Sequence, residues 1–189
     1  MRRLLQFLTR ESGSIAVEFA FIAPVMIGMF FGLNELALAL GAKADVFDLT
    51  SAGADLVAQE SAVTTADMTN VFSALSAMLY PYSTASAQIT ISSVIDNNTA
   101  TTGKVAWSCS QGGTARAANS VYTFPTAARG VITQGGGGSV IMNEVTYSYS
   151  LPFVVTIPGV INLTGPYAMT DTFYSKPRRV AQIPMGACP

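Results

Sequence analysis

The sequence predicts an α+β protein: a long N-terminal helix, transmembrane in its first half and amphipathic in its second, followed by a small antiparallel β-sheet domain with a second helix. Three observations predict it. From Ile15 to Leu33 the chain is apolar with a single ionisable side chain, Glu18. Between residues 35 and 62, apolar residues recur at helical spacing among Glu35, Asp45, Asp48, Asp55 and Glu60. Beyond Gln88 the apolar residues alternate with polar ones, the period of a half-buried strand. With 189 residues, 50% hydrophobic and 11% charged, the chain has room for one anchor helix and one outer domain of about 130 residues.

The first half of the helix has the dimensions of a membrane span. At 1.5 Å per residue the Ile15–Leu33 run measures roughly 28 Å, close to the hydrocarbon thickness of a bilayer. A carboxylate in such a span costs on the order of 2–3 kcal/mol on insertion scales, so Glu18 calls for a partner or a role. Arg2, Arg3 and Arg10 precede the span against one acid, Glu11, and the positive-inside bias places residues 1–13 in the cytoplasm and everything after about residue 40 on the far side. A secretory signal cut after Ala37-Leu38-Ala39 competes with a retained anchor. Signal-peptide apolar cores run about 7–15 residues, whereas this run is longer and contains Glu18 and Pro24, which favours the anchor.

The helix is expected to continue from about Ser14 to Ser61, some 70 Å in all. Pro24 lacks an amide proton and clashes with the preceding turn, so a kink is expected near residues 20–24. Gly28 and Gly32 have the spacing of a close-packing helix face, a weak signal in a span. A second helix is expected from Thr65 to Leu79, capped by Thr64 or Thr65, with Asp67 in its first turn and Val71, Phe72, Leu75, Met78 and Leu79 on its apolar face. Pro81 stops it.

Strand patterning follows over 88–95, over 104–109 with Val105, Trp107 and Cys109 on one face, and over 144–149 with Val145, Tyr147 and Tyr149. Asp96-Asn97-Asn98 reads as a hairpin turn, and Gly135 to Gly138 as a loop leading into a strand at Val140. Glu144 reads as a solvent-facing charge and Trp107 as core. Tyr147, Tyr149 and Phe153 read as core or subunit packing rather than a sugar-stacking surface.

Composition narrows the chemistry. The chain has no histidine, which removes Ser-His-Asp and Cys-His nucleophiles and histidine metal sites. The glycine run is followed by no Lys-Ser/Thr pair and is not a phosphate cradle. No carboxylate pair has glycosidase spacing, so no enzyme, cofactor or metal is expected. Of 10 basic and 11 acidic side chains, three basic and one acidic lie in the first 13 residues, so loss of that leader leaves a net side-chain charge of −3. The remaining basic residues are scattered apart from Lys176, Arg178 and Arg179, a solvated tail or a contact to another subunit, and no nucleic-acid footprint survives. Two cysteines, Cys109 and Cys188, stand C-terminal to the anchor, the ordinary setting for a disulfide in an oxidising compartment. Two unpaired thiols remain the alternative.

The N-terminus carries a resemblance. Gly13-Ser14-Ile15-Ala16-Val17-Glu18-Phe19, after a short basic leader, resembles the processing and assembly signal of type IV prepilins. Ala16-Val17-Glu18-Phe19-Ala20 followed by Ile22-Ala23-Pro24 is similar to TadE-like pseudopilins of the tight-adherence (Tad, or Flp) pilus system. Lys104-Val105-Ala106-Trp107-Ser108, Asn143-Glu144-Val145-Thr146-Tyr147-Ser148-Tyr149 and Tyr174-Ser175-Lys176-Pro177-Arg178 resemble ordered landmarks of the family's soluble half. The resemblance implies cleavage by a prepilin peptidase between Gly13 and Ser14, with Glu18 and Phe19 as assembly residues. It implies a minor pilin that initiates, primes or tips an adhesive fibre. Its expected partners are other pseudopilins, the major Flp pilin, the inner-membrane platform and membrane lipid.

The expected organisation is a leader at 1–13, an assembly helix at 14–34, an amphipathic extension at 35–62 and a periplasmic α+β domain at 63–189. The protein is expected in the bacterial inner membrane, or extracellular within the pilus. A neighbour's Ser14 α-amine could neutralise Glu18 in the apolar phase, and truncating one member of such a pair typically costs about 3–5 kcal/mol. A single-pass or secreted binding domain outside any fibre is the competing reading.

Overall fold

Helix α1 spans Glu11–Ala58, 48 residues with Pro24 inside it. The computed structural model describes residues 11–99, 101–131, 135–151, 155–157, 161–163 and 165–189. These fall into two compact units. The first holds the described residues up to Leu40 with the 150–166 segment, and the second holds Gly41–Tyr149 with Tyr167–Pro189. In the first, strands β5 (Val155–Ile157) and β6 (Ile161–Leu163) pair antiparallel as a hairpin. The second unit holds the larger sheet and the helix surfaces packed on it.

Within it, α1 buries Ala42, Val46, Leu49, Ala54, Val57 and Ala58, a stripe at the three- and four-residue spacing of one helix face. Small residues make much of that stripe, while the larger Phe47 and Leu56 remain exposed. Helix α2 covers Thr65–Met78. Thr64 caps it: the Asp67 amide donates to Thr64 Oγ1 at 3.2 Å, and the Thr64 amide donates to Asp67 Oδ2 at 3.0 Å. This reciprocal box satisfies two donors that a helix start otherwise leaves open. The buried residues of α2 are Met68, Phe72 and Leu75, followed by Leu79. Of the expected apolar face, Met78 is exposed and Val71 half-buried; Met68 takes the inward position because the i, i+4, i+7 row runs through it.

Five antiparallel strands form one sheet in the order β3-β2-β1-β4-β7. They are β1 (Gln88–Asp96), β2 (Thr102–Gln111), β3 (Val121–Thr123), β4 (Ser139–Tyr149) and β7 (Tyr167–Ser175). The β1–β2 hairpin turns where expected: Asn98 has φ 63° and its amide donates to Asp96 Oδ1 at 2.8 Å. Gly135 and Gly137 also have positive φ, 73° and 62°, in the loop that opens into β4. That backbone suits glycine because it has no Cβ.

The pairing corrects one expectation. Ser93 pairs with Trp107 but Val94 pairs with Val105, so Ala106 is an extra residue in β2. A bulge of this kind re-aims the strand on one side of it. Val105 therefore lies on the face opposite Trp107 and Cys109, packed with Val94, Phe124, Ala128 and Met142.

The two sheet faces have different covers. On the side of Ile89, Ile91 and Val145 lie the helices, and Asn143 Nδ2 donates to the carbonyls of Leu49 and Thr50 at 3.3 and 3.0 Å. On the other side, Tyr122 of β3 and Tyr174 of β7 meet hydroxyl to hydroxyl at 2.6 Å, although these strands are the two ends of the sheet. The sheet is curled enough to bring its edges within reach of each other.

Candidate assembly helix

Gly13 and Ser14 lie in the first turn of α1, and Glu18, Phe19 and Pro24 follow within the same helix. Glu18 and Phe19 are exposed, as are Phe21 and Phe30, the last two at 76% and 68%. An apolar surface of this extent is unstable in water and needs lipid or protein around it. The segment beginning at Ile15 is long and apolar enough to cross a membrane, with a mean hydropathy of 2.0 and only 6% of the most apolar window buried. A core helix of a soluble domain would be largely covered. Glu35, by contrast, is 1% exposed, a burial that helical periodicity does not mark.

In the second unit, the C-terminal segment from residue 176 acts as a strap. The Arg178 amide donates to the Ala58 carbonyl at 2.9 Å, and its guanidinium pairs with Asp55. Arg178 is exposed, as expected of a solvated residue, and the ion pair adds a contact within the chain: the last turn of α1 offers unpaired carbonyls and a nearby acid, which attract a cation and an amide donor. Further on, Val63 and Met185 form a parallel bridge. The Thr65 hydroxyl donates to the Ala187 carbonyl at 2.6 Å. Trp107 Nε1 donates to the Ile183 carbonyl at 2.8 Å, so the indole is half-buried against the strap rather than enclosed in the core. A disulfide between Cys109 and Cys188, with Cα atoms 5.4 Å apart, closes the strap onto β2. The even cysteine pair was the signal for that link.

Glu144 is not the solvent-facing charge expected of it. Arg116 holds it with two hydrogen bonds, Nε to Oε2 at 2.8 Å and Nη2 to Oε1 at 2.6 Å, and the guanidinium also lies 4.9 Å from the centre of the Tyr122 ring. The bond to Glu144 holds the Arg116 pKa above its ordinary value. Nothing at positions 116 and 144, far apart in the chain, announced this pair. Burial, and then the hydrogen bond to Tyr122, push the Tyr174 hydroxyl above the usual tyrosine range. Tyr147 and Tyr149 are buried as expected; Phe153 lies outside the described residues. Among the described residues no group of His, Cys, Asp or Glu is arranged to hold a metal ion.

The family model described as TadE-like protein matches residues 13–55. The matched stretch opens at Gly13, contains Glu18, Phe19 and Pro24, and extends into the part of α1 that packs in the second unit. The likeness to TadE-like proteins therefore covers the N-terminal helix alone. No curated protein and no solved structure gives a significant match.

Proposed function

Taking the TadE-like match over residues 13–55 as premise, we propose that this chain is a minor pilin of a Tad/Flp pilus, cleaved after Gly13 by a prepilin peptidase and acting in assembly rather than catalysis. The observation that carries the reading is an exposed apolar helix whose one carboxylate between Gly13 and Asn34 stands at Glu18, five residues beyond Gly13. Cleavage there frees a cationic amine on Ser14. Helices packed side by side with an axial stagger bring that amine to a neighbour's Glu18, and each charge removes the other's desolvation cost. The contact then acts as a register key for the fibre or its initiating complex. Phe19 and the other exposed aromatics supply the apolar packing around it.

In this reading the helix holds the unassembled subunit in the inner membrane, with the second unit in the periplasm, where its disulfide is stable. Other pseudopilins, the major Flp pilin and the membrane platform are its partners. The intact mass of the mature protein from its native membranes tests the proposal. A chain starting at Ser14 is expected. A start near Lys43 would establish a secreted domain and overturn the assembly role, and an uncut chain would reduce the helix to a plain anchor.

A further inference from the structure

We propose that the seam between β7 and the segment 122–131 receives one extended segment of a companion subunit, which adds to the outer edge of β7 as a further strand. Its identification as a companion pilus subunit rests on the function proposed above; the seam itself rests on the geometry. The two ends of the sheet are unlike. Strand β3 is only three residues long, one of the ways in which proteins keep an edge from pairing. Strand β7 has nine residues, in unbroken register with β4 from Ile141↔Ser175 to Tyr149↔Tyr167. It contains no Lys, Arg or Pro and pairs with no strand on its other side among the described residues. A long edge of this kind, in unbroken register and with Asp171 as its one charged side chain, is a template for strand addition unless something covers it.

A groove of about 900 Å³ runs along that edge. It is lined by every residue from Thr170 to Tyr174, so it follows the strand rather than opening on one sheet face. Five residues at about 3.4 Å each give a length near 17 Å, the span of a common short strand. The opposite wall is the segment from Tyr122 to Arg129 with Val131. Tyr122 of that wall is hydrogen-bonded to Tyr174 at 2.6 Å, so the seam is walled on its far side and a second sheet would meet that wall, which argues against edge-to-edge pairing of two copies.

The lining also defines the occupant. Phe124, Pro125 and Val131 make one side of the groove apolar, and a strand alternating its side chains presents every second one to that side. Arg129 is exposed on the rim and has no ion pair among the described residues. Asp171 Oδ2 is shielded from solvent and has no hydrogen-bond partner among the described residues. The fitting segment is therefore extended, apolar at alternate positions, with an acidic side chain reaching Arg129 and a donor for Asp171.

The test places a photoreactive benzoylphenylalanine at Thr170 in the full chain, in native membranes containing the other pilus subunits, with a second probe at Asn70 on the exposed side of α2 as control. We expect the Thr170 probe to label one contiguous extended segment of another pilus subunit, located by mass spectrometry, and the Asn70 probe not to label it. Arg129→Glu should lower that labelling by about tenfold with no change in melting temperature, the effect of a reversed charge at an interface rim. Labelling of lipid alone, of a helix, of β7 in a second copy, or of nothing while the protein melts normally would overturn the proposal. A mature N-terminus other than Ser14 with the Thr170 labelling intact would sink the assembly function and leave the strand seam standing.

Discussion

Gly53 measures how closely α1 approaches the sheet. A Cβ there would lie 2.3 Å from Asn143 Nδ2 and 2.8 Å from Leu75 Cδ1, and Asn143 is fixed by its bonds to the Leu49 and Thr50 carbonyls. Gly53→Ala should therefore destabilise the full chain by about 1–3 kcal/mol despite the better helix propensity of alanine, because overpacking outweighs that gain. Asn143→Ala in the same chain should recover part of the loss, and a denaturation cycle over the four variants checks the coupling. Asp67 provides a pH-dependent test. Side-chain and backbone hydrogen bonds from Thr64 hold its carboxyl below the ordinary value of 3.8. Its contribution is therefore complete above that value and is lost as pH falls through the lower, folded-state value. Melting curves from pH 5 to 2 should show a steeper acid loss for the native chain than for Thr64→Ala, which is already weakened at neutral pH.

At the scale of elements, the strap is the part most open to a decisive measurement. It ties the end of α1 and the start of α2 to β2 through Ala58, Val63, Thr65 and Cys109. The disulfide closes a chain separation of 79 residues, and the chain-entropy model assigns a loop of that size roughly 4–5 kcal/mol, with real values often lower. Cys188→Ser should cost about 2–4 kcal/mol. It should also release Trp107 from Ile183, seen as a red shift and broadening of its emission, and speed amide exchange at Val63. A chain that loses stability with no change in Trp107 emission would show that the strap stays seated without its covalent link. Strand β7, by contrast, was not anticipated from its sequence: Tyr167-Ala168-Met169-Thr170-Asp171 alternates too weakly, because an edge strand half in solvent needs no strict apolar face.

For the whole molecule, the proposed register key predicts a separation of processing from assembly. Glu18→Ala should leave cleavage after Gly13 intact and weaken co-purification with companion pilins by a factor of ten or more, on the order of the cost of an unpaired buried charge. Undiminished co-purification would remove Glu18 from the assembly role. The long helix, the capped second helix, the three principal strand regions and the disulfide pair were all legible in the sequence. Each leaves a mark within a short window: an apolar run, a Thr-x-x-Asp box, an alternation, or a rare residue type present in an even number. The tertiary structure alone decided that Val105 and Trp107 part at a bulge, that Arg116 holds Glu144, that Arg178 joins Asp55, and that β7 forms an open edge beside β4. Those outcomes depend on register and on partners tens of residues apart, and no local pattern records the free energy of such pairings. Periodicity reports which way a side chain faces, and only the assembled sheet determines what it meets there.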